Sequence, residues 1–195
     1  MNYLIAYETK IVNKVKISEF EIADFNDYDC YICAGYTEDN NFTNLINNIY
    51  NIKDSFVFDK NSQYKNEISN NIYFYNLDID TVRTQNTANL SYFYNTYNDI
   101  FLKMNINGNE FKWLNTIDMY YLLKFKQILI NFYPENIDIS VQQICFDKLN
   151  YTHYIVSIIE NKNTKIIVFL RKDIYDNYIE NQLVGITIDK VADLK

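Results

Sequence analysis

The stretch Phe101-Leu102-Lys103-Met104-Asn105-Ile106-Asn107-Gly108-Asn109-Glu110-Phe111-Lys112-Trp113 decides how the rest of the chain is read. Asn-Gly is the strongest short hairpin signal, because both residues tolerate the positive φ of a type I′ turn. With that register Met104 faces Phe111, Leu102 faces Trp113, and Ile106 lies on their side. Lys103, Asn105, Glu110 and Lys112 fall on the other side. A one-residue slip would destroy this apolar face. The flanks read as helices. From about Thr87 to Phe101, residues Leu90, Phe93, Tyr94, Tyr97, Ile100 and Phe101 recur at helical spacing, behind Asn86 as a cap. From about Thr116 to Phe132, the stripe is Ile117, Tyr121, Phe125, Ile128, Leu129 and Phe132. Asn115 is placed to cap this helix, Asp118 suits its positive end, and Pro134 stops it. The expected unit over 81–134 is helix, hairpin, helix.

Residues 83–134 resemble a module of phage tail-associated proteins in which a helix leads into a short hairpin and a second helix. Ile106, Gly108, Phe111 and the helix from Asn115 carry the resemblance. It implies a virion- or tail-associated component.

Working outward, residues 3–7 and 11–22 read as strands, with a bulge near Ser18 reconciling Val15 and Ile17 with Phe20 and Ile22. Cys30-Tyr31-Ile32-Cys33-Ala34 is continuously apolar, as a buried strand is. Gly35 follows, and Thr37 is placed to cap a helix, with Glu38 and Asp39 in its first turn. Phe42, Leu45, Ile46, Ile49 and Tyr50 form that helix's buried face, and Ser55–Phe58 is a strand after it. A polar loop from Lys60 to Asn71 precedes a strand at Ile72–Leu77. Beyond Pro134, Ile137, Ile139 and Val141 alternate as in a strand, and 151–159 with 165–170 form a hairpin. A short helix is expected at Asp173–Leu183 and a last strand at Val184–Ile188.

The expected class is α+β, a mixed sheet or sheets with about three main helices. Three parts follow, 1–80, 81–134 and 135–195, and they need not be separate domains. At 195 residues and 48% apolar content the chain can bury a substantial core. Its richness in Asn, Lys, Ile, Tyr and Phe matches A/T-rich codons, as in many phages, viruses and low-GC bacteria.

The net charge of −7 and the dispersed lysines weigh against nucleic-acid binding, which depends on cationic side chains meeting phosphates. No apolar run reaches transmembrane length, and the first residues carry no basic leader. No membrane association is expected, and the expected location is a virion or a host cytoplasm. Only 3 glycines are present, so no Gly-rich phosphate loop can be assembled.

Two constellations could carry chemistry. Cys30 and Cys33 could join Cys145 and His153 around zinc, which favours four such ligands. Against this, and against a redox pair, the two cysteines lie inside a strand and point to opposite faces. Asp78-Ile79-Asp80 follows an apolar strand, a spacing that lets two carboxylates hold a divalent cation on a diphosphate. The bland readings are buried thiols, a core imidazole and solvated strand-end carboxylates. They leave no catalytic, cofactor-binding or metal residue assigned.

The reading that follows is a non-enzymatic structural or interaction protein of a phage or virus, without cofactor, acting through aromatic faces on a protein partner or on itself. Two alternatives stand beside it. One is a soluble viral inhibitor of a host factor, and the other is a metal-dependent transferase using Asp78 and Asp80.

Overall fold

The structure, a computed structural model, describes residues 9–35, 40–60, 71–161 and 163–192. The expected strand at 3–7, the Thr37 cap and most of the loop after Lys60 lie outside these residues. The chain opens with a hairpin of β1 (Lys14–Ile17) and β2 (Phe20–Ala23). It continues through β3 (Cys30–Ala34), α1 (Asn40–Tyr50), β4 (Asp54–Phe58) and β5 (Ile72–Tyr75). A small parallel pair follows, β6 (Asp78–Ile79) with β7 (Thr87–Ala88). Next come α2 (Ser91–Thr96), β8 (Ile100–Met104), α3 (Glu110–Thr116), α4 (Met119–Leu122) and β9 (Phe125–Phe132). The last elements are α5 (Ile139–Thr152), β10 (His153–Glu160), β11 (Lys165–Arg171) and α6 (Lys172–Ala192).

Seven strands form one sheet in the order β10-β11-β9-β8-β3-β4-β5. The pairs from β9 across to β5 are all parallel, whereas β11 runs antiparallel to both its neighbours. The sheet draws strands from all three expected parts of the chain. One face is covered by α2, α3, α4 and α5, whose Phe93, Phe111, Trp113, Leu122 and Phe146 pack against Cys30, Ile32, Leu102, Ile128 and Ile130. The other face is covered by α1, the first hairpin and α6, through Phe42, Ile46, Phe20, Ile22 and Tyr178, against Tyr31, Cys33, Phe101 and Leu129. Each large apolar side chain buried this way contributes about 1.5–3 kcal/mol. Helical cover on both faces makes this an α/β doubly wound sheet.

The expectation of a mixed sheet holds, but the expected helices do not. Among the described residues there are six helices rather than three. The central unit is not helix–hairpin–helix. Its first expected helix is β7, α2 and β8, and its second is α4 and β9. The physical reason is burial. All of Ile100–Met104 is buried, as is nearly all of Phe125–Phe132, so neither strand alternates apolar with polar. A strand buried on both faces shows no period of two, and chance coincidences at helical spacing then stand out. Asn107 and Gly108 do adopt positive φ, at 54° and 96°. Their turn leads from a strand into α3 rather than back into a second strand. The hairpin and the two long helices expected over 81–134 are therefore not formed.

Three smaller corrections follow. Ile139 and Val141 belong to α5, whose start is capped by the Asp138 carboxylate accepting from the Ser140 amide. Val184–Ile188 lies within α6. Ser18, with φ 56°, is in the turn between β1 and β2 rather than in a bulge. The 151–159 and 165–170 hairpin is present as β10 and β11. Among the described residues no helix is long and apolar enough to cross a membrane.

Candidate functional site

From β3 the strands step outward through β4 to the β5 edge. The chain then returns to lay β8 on the other side of β3. The direction of winding reverses between β3 and β8. In open α/β sheets ligands bind in the crevice outside the carboxyl ends of the strands at this reversal.

A crevice of about 510 Å³ lies there. Gly35 follows β3, Phe58 ends β4 and Asp59 follows it, and Asn105, Ile106, Asn107 and Asn109 follow β8. Asp78, Ile79, Asp80 and Thr87 complete the wall from the β6–β7 pair.

Gly35 shows how tightly the strand ends meet. Its φ is +77°, and an added Cβ would sit 1.7 Å from the Asn105 carbonyl oxygen. The Asn105 amide donates to the Ala34 carbonyl at 2.8 Å, and the Gly35 amide donates to the Phe58 carbonyl at 2.9 Å. Only a residue without a side chain fits where three strand ends converge. Asn105 is held again by the Tyr133 hydroxyl, which donates to its Oδ1 at 2.9 Å.

The loop after β8 is shaped by Glu110, the first residue of α3. Its carboxylate is fully buried and accepts the Ile106 amide on one oxygen and the Gly108 amide on the other, both at 2.7 Å. Burial pushes its pKa up, and the two amide bonds act in the opposite sense.

The carboxylates expected from the sequence do reach this site. Asp80 accepts from Lys112 Nζ at 2.6 Å and from the Thr81 amide, and these bonds hold its pKa below the usual carboxylate value, the Lys112 bond first. Asp78 faces Lys60 Nζ at 3.8 Å. Asp59, whose amide donates to the Tyr75 carbonyl, joins them in the crevice wall. Sequence reasoning passed over Asp59, Asn105 and Glu110. The signal was present for Asp59, an acid directly after an apolar strand in a strand–helix–strand unit. For the other two it was hidden by the hairpin reading.

The thiols and the imidazole are placed elsewhere. Cys30 packs into one face of the sheet and Cys33 into the other. Burial raises the Cys30 thiol first of all, with Asp29 and Asp54 adding to it. Cys145 lies in α5, its thiol 3.4 Å from the Phe111 carbonyl and pushed up to about 11 by burial. His153 is fully buried, with Nε2 2.8 Å from the Phe125 carbonyl and Nδ1 2.7 Å from the Thr152 hydroxyl. A carbonyl only accepts, so Nε2 carries the proton and Nδ1 accepts from Thr152. Both ring nitrogens are used, and burial lowers the pKa to about 4. Among the described residues no three His, Cys, Asp or Glu side chains converge as a metal site.

No family model matches the chain, and no curated protein matches it. Solved structures similar in outline include TrmK from M. capricolum with S-adenosyl-homocysteine, at 14% identity and TM-score 0.47, covering 83% of this chain and 80% of that one. A second is precorrin-6y C5,15-methyltransferase from Geobacter metallireducens, at 11% identity and TM-score 0.44, covering 76% of this chain and 83% of that one. A third, from Thermoplasma acidophilum with a provisional methyltransferase assignment, has 9% identity and TM-score 0.42, covering 82% and 81%. No residue role is carried over from them.

The reading of a non-enzymatic phage or viral structural protein, virion- or tail-associated, is corrected. It stood on the absence of an equipped cleft. The chain instead builds a doubly wound sheet with a polar crevice at its reversal point. The viral-inhibitor alternative rested on the acidic surface. The metal-dependent transferase alternative took Asp78 and Asp80 as cation ligands; both reach the crevice wall, where they pair with Lys60 and Lys112.

Proposed function

We propose that the crevice binds an adenosine-type cofactor without phosphates, S-adenosylmethionine, and that the chain is a methyl-transferring enzyme. The observation that carries this reading is the lining of the crevice. Doubly wound sheets place an acid roughly 20 residues beyond the turn glycine, where it accepts from ribose hydroxyls. Asp59, directly after the strand that follows Gly35, holds that position.

The same lining argues against a dinucleotide. A pyrophosphate needs a cradle of backbone N–H groups on a Gly-rich turn and a positive field. Here Asp59, Asp78 and Asp80 line the wall, and among the described residues no lysine or arginine does; Lys60 and Lys112 pair with Asp78 and Asp80. A wall lined by acids rather than by cations suits a diol-bearing ligand without phosphates, such as S-adenosylmethionine. S-adenosylmethionine held there would supply its methyl group to an acceptor nucleophile, leaving the sulfur as a neutral thioether.

Calorimetry on the full chain tests the reading. S-adenosylhomocysteine, the cofactor product in the M. capricolum structure, should bind, and NAD and ATP should not. Asp59→Asn should weaken binding about tenfold or more, the loss expected for a charged hydrogen bond. The reading fails if the wild-type chain ignores S-adenosylhomocysteine or takes NAD equally well.

A further inference from the structure

Resting on the reading of a phosphate-free adenosyl ligand, we infer that Glu110 is a positioning and specificity-determining residue. Its carboxylate is a built-in anion that fills a backbone anion hole between β8 and α3. It thereby fixes the lip of the crevice and closes that lip to phosphate.

The argument starts from the turn. The residues Ile106-Asn107-Gly108 carry consecutive positive φ at Asn107 and Gly108, of 54° and 96°. Their geometry brings the Ile106 and Gly108 amides onto one point, and converging backbone N–H groups of this kind form anion-binding concavities. In many phosphate sites such a concavity opens toward the ligand. Here it holds a side chain of the same chain, with one carboxylate oxygen on each amide at 2.7 Å. Both donors are used, and the acid that uses them is fully buried.

The turn is also part of the crevice wall. Asn105, Ile106, Asn107 and Asn109 all line it. A change at Glu110 is therefore transmitted to the ligand although Glu110 itself is not among the lining residues. Bidentate bonding to an ionised carboxylate is stronger and more directional than a neutral bond, so this clasp sets the turn geometry. With Glu110 in place, an incoming phosphate meets saturated donors.

The test compares wild type, Glu110→Gln and Glu110→Ala. Gln keeps the side-chain length but offers one acceptor oxygen and sets an NH₂ against the second amide. By calorimetry Glu110→Gln should bind S-adenosylhomocysteine about tenfold more weakly, and Glu110→Ala more weakly still. Millimolar formate should restore much of the Glu110→Ala affinity at constant ionic strength, because it refills the vacated hole. Inorganic phosphate, ignored by the wild type, should bind Glu110→Ala. A merely structural acid would lower the melting temperature without formate rescue or gained phosphate binding. A folded Glu110→Ala that binds S-adenosylhomocysteine like the wild type, or shows neither formate rescue nor phosphate binding, overturns the inference.

If the wild type does not bind S-adenosylhomocysteine, the cofactor reading fails, and the phosphate arm still decides the role of Glu110. Should neither variant fold, amide exchange in the wild-type chain decides. Slow exchange at Ile106 and Gly108, unchanged by added phosphate, upholds the clasp. Exchange as fast as in an exposed loop overturns it.

Discussion

Residues 30–58 and 100–132 build the same thing, a buried parallel strand pair with helix between, yet only the first is legible in the sequence. In the first, β3 is a short apolar run closed by Gly35, and α1 shows one apolar face in Phe42, Ile46 and Tyr50. Period and punctuation agree there. In the second, β8 and β9 supply the middle of the sheet, with β8 buried throughout and β9 nearly so. The helices between them, α3 and α4, are only 7 and 4 residues long. Helices of one or two turns show too few residues to reveal a period, and doubly buried strands show none. The more deeply a strand is buried, the less its sequence announces it.

The comparison is broken most severely where the two regions touch. Gly35→Ala should abolish cooperative folding or lower stability by about 4 kcal/mol or more, read by urea denaturation. The added methyl would lie 1.7 Å from the Asn105 carbonyl oxygen, which is backbone and cannot swing away. If Gly35→Ala folds with near-wild-type stability, the close approach of the β3 and β8 ends is wrong, and so is the reversal point on which the site is built.

A second test concerns how β9 is tied to its neighbours. His153 at the start of β10 donates to the Phe125 carbonyl at the start of β9. Its pKa is lowered from 6.5 to about 4 by burial, so the folded chain holds the ring neutral. Between these values the unfolded chain binds a proton that the folded chain refuses, and stability falls with pH. It is unaffected by this group above pH 6.5 and is progressively lost down to about pH 4. From pH 7 to 5 the loss from this group alone should be about 2 kcal/mol. His153→Gln should be less stable at pH 7 but should lack that part of the slope. An identical slope in both chains would mean that the imidazole is not buried against Phe125.

The site divides along the same line as the fold. Asp78 and Asp80 stood out because an acid pair after a strand is a spacing with known chemistry, and both do line the crevice. Asp59 follows a strand that was correctly placed, so its place in the crevice awaited only the strand order. Asn105 and Glu110 could not be found while their segment was read as a hairpin, because the hairpin put them on a solvent face. Their burial follows from β8 lying between β3 and β9, a pairing that joins distant parts of the chain. Local signals do not encode such pairing. The cysteines show the reverse case. Odd spacing within a strand was enough to send Cys30 and Cys33 to opposite faces, because the strand itself was correctly read.

The smallest effect is expected at Gly108, and it sharpens the contrast with Gly35. Both glycines have positive φ, +77° and +96°, but an added Cβ at Gly108 meets nothing within 4 Å. Gly108→Ala should therefore cost only the conformational strain of an L-residue there, about 1 kcal/mol. The Asn-Gly pair that suggested a hairpin is needed for the turn and not for any particular element after it. A cost near that of Gly35→Ala would show that the turn is packed against the wall, not open beside the crevice. A cost near zero, measured by the same urea titration, would show that the turn relaxes out of its left-handed geometry, and the Glu110 clasp on the Gly108 amide would have to relax with it.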